Sequence, residues 1–559
     1  MAFLVSPGVQ VKEIDLTNVV PSTSSTIGAM AGAFQWGPVE EVVTVSSETE
    51  LVNKFGKSSA ETFESVMTAA QFLSYGNNLK VVRATGADAR NATLSGTGIL
   101  AKNDDHFSTL SPAAGDWVMA RYPGVTGNAL TVEVATDATS WDGSANWKTW
   151  TESAPGTSAG AAAVGGSLDE IHVVVRDYTG EITGTAGEVL EVFSYLSQAN
   201  DVKSTDGTSL YYKDHINTNS NWIRVGNHAA ALTDAGESAV GNAFTRVAVF
   251  FANITGGVDD NVLAVGEITA QYDKFADAET IDVNLVFQAN SDLSATHNIT
   301  LSNHITALCA ARKDAVGFIS PERAATANAA APATTVATWR TACTSTSYGF
   351  ADSTSLYVYD KYNDVYRYIA AAGSMAGLAA NADMVADAWF SPAGFTRGNV
   401  RNVTKLAWNP SQAERDELYK TGVNPIVTFP GSGTVLFGDK TLQSKPSSFD
   451  RINVRRLFIV LEKAISTASK ASLFEFNDEF TRAQFRNMVE PFLRDVKGRR
   501  GITDFKVICD GTNNTGAIID TNKFVADIYV KPARSINYIT LNFIATRTGV
   551  EFSEIAGGN

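Results

Sequence analysis

Cysteine is scarce in this chain of 559 residues: three, at positions 309, 343 and 509. Far apart and odd in number, they provide no disulfide framework and fit assembly in a reducing compartment. Basic charge is also short. Lys and Arg number 44 against 59 Asp and Glu, a net charge of −15, which argues against direct binding of nucleic acid, because phosphate recognition needs a basic surface. No apolar run approaches the ~20 residues that cross a bilayer; Val247 to Ala252 reads as a buried strand, and no membrane insertion is expected. Met1 to Pro7 lacks the basic start and long apolar core of a signal peptide.

Catalytic and metal-binding patterns are missing as well. Six histidines are scattered; His297 and His304 are seven apart with no Glu placed as a zinc-hydrolase helix requires. Asp104-Asp105-His106 and Asp259-Asp260 read as solvated turns. No cysteine pair has zinc spacing, and no Gly-x-Ser-x-Gly elbow occurs. Gly56-Lys57-Ser58 is the nearest approach to a phosphate loop, but Leu51 stands where that motif opens on glycine. Gly431-Ser432-Gly433 runs on to Leu436 where a dinucleotide fingerprint needs glycine, and reads as a turn between Ile426–Phe429 and Val435–Phe437. No catalytic residue, cofactor or metal site is expected. The rival reading is a cytoplasmic α/β enzyme that binds nucleotide at Gly56-Lys57-Ser58.

What is present is a globular composition, 44% hydrophobic with 10% aromatic, in a chain too long for one core. Residues 1–22 form an arm, with Val9-Gln10-Val11-Lys12 alternating as a strand before a Ser/Thr-rich connector. A lone strand is unstable, so it folds back on its own domain or adds to the edge of a neighbour's sheet. Residues 23–86 and 339–410 read as one α/β domain in two segments, with a helix over 61–75 and a strand over 79–84. Residues 87–205 read as a β-rich outer insertion (strands near 115–120, 129–134 and 171–175), with a surface loop at 153–167. Residues 206–338 read as an α/β insertion: strands at 246–251, 281–287 and 315–319, helices at 266–275 and 304–312, and a connector at 324–337. The fold class is α+β to α/β, multidomain.

Residues 411–559 read as a C-terminal domain. Apolar residues at helical spacing follow Phe449, with Leu457, Leu461, Ile465 and Ala468 on one stripe. Thr481 and Gln484 predict a capping box, and Pro491 a kink in the helix behind it. Strands follow at 505–509 and 524–530, the second broken by Lys531-Pro532. A third, over 536–546, alternates with Ile539, Leu541, Phe543 and Ala545 on one face. Between Asp450 and Arg500, 11 basic residues meet 7 acidic ones, so this region suits an acidic partner, and Lys497-Gly498-Arg499-Arg500 is its most basic turn.

Several collinear strings resemble the tail sheath proteins of contractile-tailed bacteriophages: Leu4 to Val9, Gly32 to Pro38, Phe72 to Asn77 leading to Val81-Val82-Arg83-Ala84, Asp360 to Val365, Trp389 to Gly394, Phe449 to Phe458, and Pro532 to Phe543. The resemblance covers roughly the first 85 residues and the last 220 in order, which a single short motif does not. It implies inner domains built from both chain ends, with the β-rich domain outside. It implies a homo-oligomer of six-fold rings stacked helically around a tail tube protein, ending at baseplate and tail terminator proteins, in a virion made in the bacterial cytoplasm. Val9 and Val11 of the arm, with Ile539, Leu541 and Phe543, become assembly strands exchanged between copies. Lys497, Arg499 and Arg500 become candidates to face the tube. A related contractile particle, whether a headless tail or a secretion machine, is the alternative within the same family.

Overall fold

Seven short strands pair into the sheet on which the first part of the chain is built: β1 (Gly28–Ala33), β2 (Val42–Val45), β3 (Leu79–Ala84), β4 (Leu285–Phe287), β5 (Val316–Ile319), β6 (Gly349–Asp352) and β7 (Val423–Asn424). They are numbered along this sheet, whose order is β7-β6-β5-β4-β1-β3-β2. The structure, a computed structural model, describes residues 24–538 apart from 111, 113–115, 143–145 and 248. Two compact units are separated between Leu473 and Phe474.

Every neighbouring pair in the sheet is parallel except β2 with β3. Parallel strands need long crossovers, and these place helices on both faces. Alternation along the strands divides the core in two. Met30, Leu79, Val81, Leu285, Phe287, Phe318 and Phe350 join one cluster; Ala29, Ala31, Val82, Val286 and Ala351 join the other. On the first face lie helices Phe63–Leu73 and Ala372–Val385, and on the second Val265–Tyr272, Ala295–Arg312, Pro332–Ala342 and Gln412–Thr421.

The strand β1 carries no β-branched residue, and small side chains are what its position demands. A Cβ at Gly28 would sit 2.5 Å from the Phe72 ring, and one at Gly32 2.3 Å from Ser65 Oγ. The same device joins the two helices above it. A Cβ on Gly373 would lie 2.5 Å from the Thr68 carbonyl oxygen, and one on Gly377 the same distance from the Tyr75 ring.

Between β3 and β4 the chain builds a separate β-rich body. Its sheet has four antiparallel strands in the order Glu188–Ser197, Glu170–Asp177, Leu130–Ala135, Phe250–Asn253. Val118–Ala120 pairs with Ile223–Val225 beside it. The neck closes where Arg90 bridges Val258 and Thr93 bridges Thr255. Arg83 fastens this body to the main sheet: its guanidinium is buried and donates to the carbonyls of Phe34 (2.9 Å), Gly37 (2.9 Å), Gln35 (3.2 Å) and Pro123 (2.7 Å).

Several expected boundaries differ from these. The segment 206–338 is not one insertion: strands at 223–225 and 250–253 complete the β-rich body, while 285–287 and 316–319 belong to the main sheet beside β1. Sheet membership is set by hydrogen-bond partners remote in sequence, which local texture does not encode. The strand at 250–253 is an edge, with Phe251 67% exposed, rather than buried. The expected connector at 324–337 contains helices Arg323–Thr326 and Pro332–Ala342, the second opened by a proline whose missing N–H costs nothing there. The expected loop at 153–167 holds a short helix, Ala159–Ala163, with Ser158 and Ala161 buried. Residues 411–473 also belong to the first unit: β7 joins its sheet, and Ile452 and Ile459 of helix Ile452–Ser469 join its core.

The second unit pairs helix Glu479–Gly498 with a hairpin, Ile502–Ile508 and Asp527–Pro532. The helix starts earlier than the expected capping box. Asp478 is the cap, its carboxylate accepting from the Thr481 N–H at 2.8 Å. It also runs through Pro491 without interruption. Pro491 is exposed, as is Asn487, whose carbonyl would have taken the missing N–H. Lys531-Pro532 ends the second strand instead of breaking it, with Pro532 opposite Ile502 at the ladder's last rung.

Gly373→Ala should lower stability by about 1–3 kcal/mol, since the obstructing atom is backbone. Gly266→Ala, on the open side of its helix, should leave it unchanged or raise it by about 1 kcal/mol. Thermal melts of the two variants check the pair, and equal effects would contradict the close helix contact.

Candidate functional site

Lys497, Arg499 and Arg500 close the C-terminal end of helix Glu479–Gly498, where cations meet the negative end of the helix dipole. All three are exposed. Lys497 Nζ stands 3.2 Å from Asp504 and Arg499 Nη2 2.8 Å from Asp495, one turn back. The Lys497 hydrogen bond holds the Asp504 carboxyl below its ordinary range. Two of the three charges are thus matched locally, and Arg500, at φ 65°, turns the chain into the hairpin.

That hairpin is the second feature. Phe505 faces Val530 and Lys506 faces Tyr529 in an antiparallel ladder. Phe485, Met488, Val489, Leu493 and Val496 are the buried stripe of the helix that accompanies it. Among the described residues neither strand has a second ladder partner, and a two-stranded ribbon is marginal alone. The expected assembly residues Val9, Val11, Ile539, Leu541 and Phe543 all lie outside the described residues.

The place where the N-terminal segment joins the first unit is fixed by a buried ion pair. Arg456 Nη2 lies 2.5 Å from Asp383 Oδ2, which also accepts from Ser25 Oγ at 2.6 Å. Arg456 Nη1 donates to the Ala379 carbonyl at 3.1 Å. Burial pushes the Asp383 carboxyl up, against the pull of Arg456 and Ser25. Sequence reasoning missed this pair: Arg456 lies within Phe449–Phe458, but nothing local marks Asp383 as its partner.

A doubly wound sheet ordinarily binds ligands beyond the carboxyl ends of its strands where the strand order reverses, here between β1 and β4. That place is filled from within. Glu64 is buried there and accepts from the N–H groups of Ser291 (2.7 Å) and Asp292 (3.0 Å), from Ser291 Oγ (3.0 Å) and from Arg323 Nη1 (2.9 Å). A carboxylate of the chain thus takes backbone donors of the kind that hold phosphates. Farther along the same edge Asp352 is fully buried, and burial pushes its carboxyl up to about 8 against the hydrogen bond from Ser320 Oγ (2.5 Å).

Gly56-Lys57-Ser58 has a structural explanation. Helix Glu48–Phe55 ends into it, and Gly56, at φ 84°, donates its N–H to the Val52 carbonyl as a cap. A phosphate loop has the reverse polarity, leading into a helix N-terminus. Lys57 is exposed, while buried Ser58 donates to Asp360 Oδ1 at 2.8 Å and Asn363 donates to the Ser58 carbonyl at 2.9 Å. Asp104 and Asp259, expected as solvated, are engaged: Asp104 pairs with Arg121 and with buried Arg224, and Asp259 accepts from the Val125 N–H at 2.9 Å. His304 meets Asp273 at 2.9 Å. Among the described residues no group of three or more His, Cys, Asp or Glu could hold a metal ion, and no helix is long and apolar enough to cross a membrane.

A ligand crevice occupied by the chain's own carboxylate suits a structural building block. Family comparison says of what. Three family profiles match in order: the tail sheath protein Gp18 domain III N-terminal region over 25–84, the phage tail sheath protein central domain over 265–442, and the phage tail sheath C-terminal domain over 444–546. The chain is 33% identical to the tail sheath protein of Enterobacteria phage T4, covering 99% of each, and 33% identical to that of Vibrio phage KVP40, covering 99% of this chain and all of the relative. It belongs to the phage tail sheath protein family. A crystal structure of a sheath tail protein from Listeria innocua shares the fold at a TM-score of 0.56 and 12% identity, over 92% of this chain and 93% of that one. The anti-feeding prophage helical sheath in its contracted state shares it at 0.51 and 12%, over 98% and 100%.

Asp352 keeps its proton to about pH 8 when folded, against ~3.9 unfolded. The stability this adds is complete at acid pH and declines as pH rises toward 8. The Tm of Asp352→Asn relative to the parent chain should therefore climb between pH 5 and 8; a constant difference across that range would contradict it. Arg456→Met should cost about 3–5 kcal/mol by leaving Asp383 buried and unpaired, measurable by denaturant unfolding.

Proposed function

We propose that this chain is the structural subunit of a contractile tail sheath, six copies to a ring, with rings stacked helically around a tail tube protein and contraction driving that tube through the host envelope for genome ejection. The observation that carries the reading is the hairpin at 502–508 and 527–532, neither strand of which has a further partner among the described residues. Its edges suit strands lent by neighbours: Val9 and Val11 from one copy's arm, Ile539, Leu541 and Phe543 from another's end. Backbone ladders between different patches on identical copies make open helical assemblies.

The arm at 1–22 starts from a fixed point, Ser25 on the Asp383–Arg456 pair, so tension on it is delivered to the core helices. Inner domains from both chain ends leave the β-rich body outside. Its charge favours that placement. Residues 86–260 hold 21 acidic and 9 basic residues, a net −12, and like charge is best tolerated where copies stand apart in water. Lys497, Arg499 and Arg500 face the tube; baseplate and tail terminator proteins hold the two ends. Contraction is a change between two packings of the same subunits, the extended one metastable, with its energy from new contacts and no cofactor. The subunit is made in the bacterial cytoplasm and resides in the virion.

Removing residues 1–20 should leave a folded monomer that forms no sheath, checked by circular dichroism and by electron micrographs in which the full chain forms hollow cylinders. Cylinders of ordinary length from the shortened chain would overturn the exchange of strands.

A further inference from the structure

Two aromatic surfaces, one in each unit, are unexplained by strand exchange. The first is a hairpin, Leu356–Asp360 with Val365–Ile369, joined by Lys405–Leu406. Its inner face buries Leu356, Val358 and Ile369 in the core. Its outer face carries two cross-strand tyrosine pairs, Tyr357 with Tyr368 and Tyr359 with Tyr366, their rings 4.6 and 5.1 Å apart. Tyr359 and Tyr366 are 44% and 51% exposed. Lys405 lies at the side of this face, its ammonium 4.6 Å from the Tyr357 ring centre, with no ion pair among the described residues.

The second surface is the segment 474–480. Phe474, Phe476 and Phe480 are almost wholly exposed, at 104%, 83% and 76%. Phe474 holds a left-handed backbone, φ 70°, a conformation that costs energy in a bulky residue and marks function more often than chance. The segment is tethered rather than loose. Asn477 donates to the Lys523 carbonyl at 2.8 Å and accepts from Arg482 Nε at 2.9 Å. Between the rings stand Glu475 and Glu479, both exposed and without an ion pair among the described residues. A preset aromatic segment loses little freedom on docking.

We propose that the tyrosine face of one copy receives the Phe474–Phe480 segment of a second copy. The chemistry matches on both counts. Tyrosine and phenylalanine rings are favoured at protein contacts and pair edge to face, and the lysine beside the tyrosines answers the glutamates between the phenylalanines. One patch meets a different patch, so the contact propagates along an assembly instead of closing a dimer. It rests on the reading that this chain polymerises.

The test is a charge exchange in the full chain, read as the protein concentration at half-assembly by light scattering and micrographs. Lys405→Glu and Glu475→Lys should each raise that concentration about fivefold, and the double variant should restore it. Two single effects that add without rescue would overturn the pairing, as would no effect from either. In parallel, Phe476→p-benzoylphenylalanine in a mixture of isotopically light and heavy chains should give, on illumination of assembled material, light–heavy crosslinks to the peptide 356–369. Crosslinks confined to one copy, or to other peptides, would overturn the proposal while leaving polymerisation itself intact. Failure of the unaltered chain to assemble at any concentration would overturn the polymerisation on which it rests.

Discussion

Everything in the first unit depends on the parallel pairing of β1 with β4, Gly28 against Leu285 and Ala29 against Val286. Those residues are separated by nearly half of the chain, and the whole β-rich body is strung between them. Parallel ladders offer no tight turn to fix register, so the pairing is secured from its faces. Gly28 and Gly32 admit Phe72 and Ser65 against the strand, while Tyr272 from the opposite layer donates to the Phe287 carbonyl at 2.8 Å. Arg83, at the end of β3, then ties the inserted body back by the carbonyls on either side of the junction.

The same constraint explains why an architecture associated with ligand binding serves as a building block. A doubly wound sheet creates a donor-rich crevice at the carboxyl ends of its strands. Here Glu64 and Asp352 are buried along that edge, one held by backbone N–H groups and an arginine, the other kept neutral by its surroundings. Filling the crevice converts a place of weakness into packed structure. Such filling stiffens the unit, because interiors at crystal-like density pass strain rather than absorb it.

Much of the local structure was legible from residue order. Phe63, Val66, Met67, Ala70 and Phe72 mark a helix, and the turn at Gly431-Ser432-Gly433 joins two strands where alternation places them. Pro491 misled, since the helix carries it on an exposed side and runs on through it. The segment 206–338 misled for a different reason: the strands at 250–253 and 285–287 look alike in sequence yet join different sheets. Family resemblance located the strings around Arg83, Asp360–Asn363 and Arg456; their jobs, as wrap, loop clamp and ion pair, depend on partners such as Pro123, Ser58 and Asp383 that no spacing rule connects to them.

Sequence by itself determined the family and the alternation of helix and strand, because those reside in periodicity and collinear motifs. It also fixed the acidic excess, though not that most of it sits on the inserted body. Only the tertiary structure decided which strands share a sheet, that glutamate fills the ligand crevice, and that aromatic rings gather into two exposed surfaces. Hydrogen-bond partners and burial are settled between residues hundreds of positions apart, where local preference carries no information.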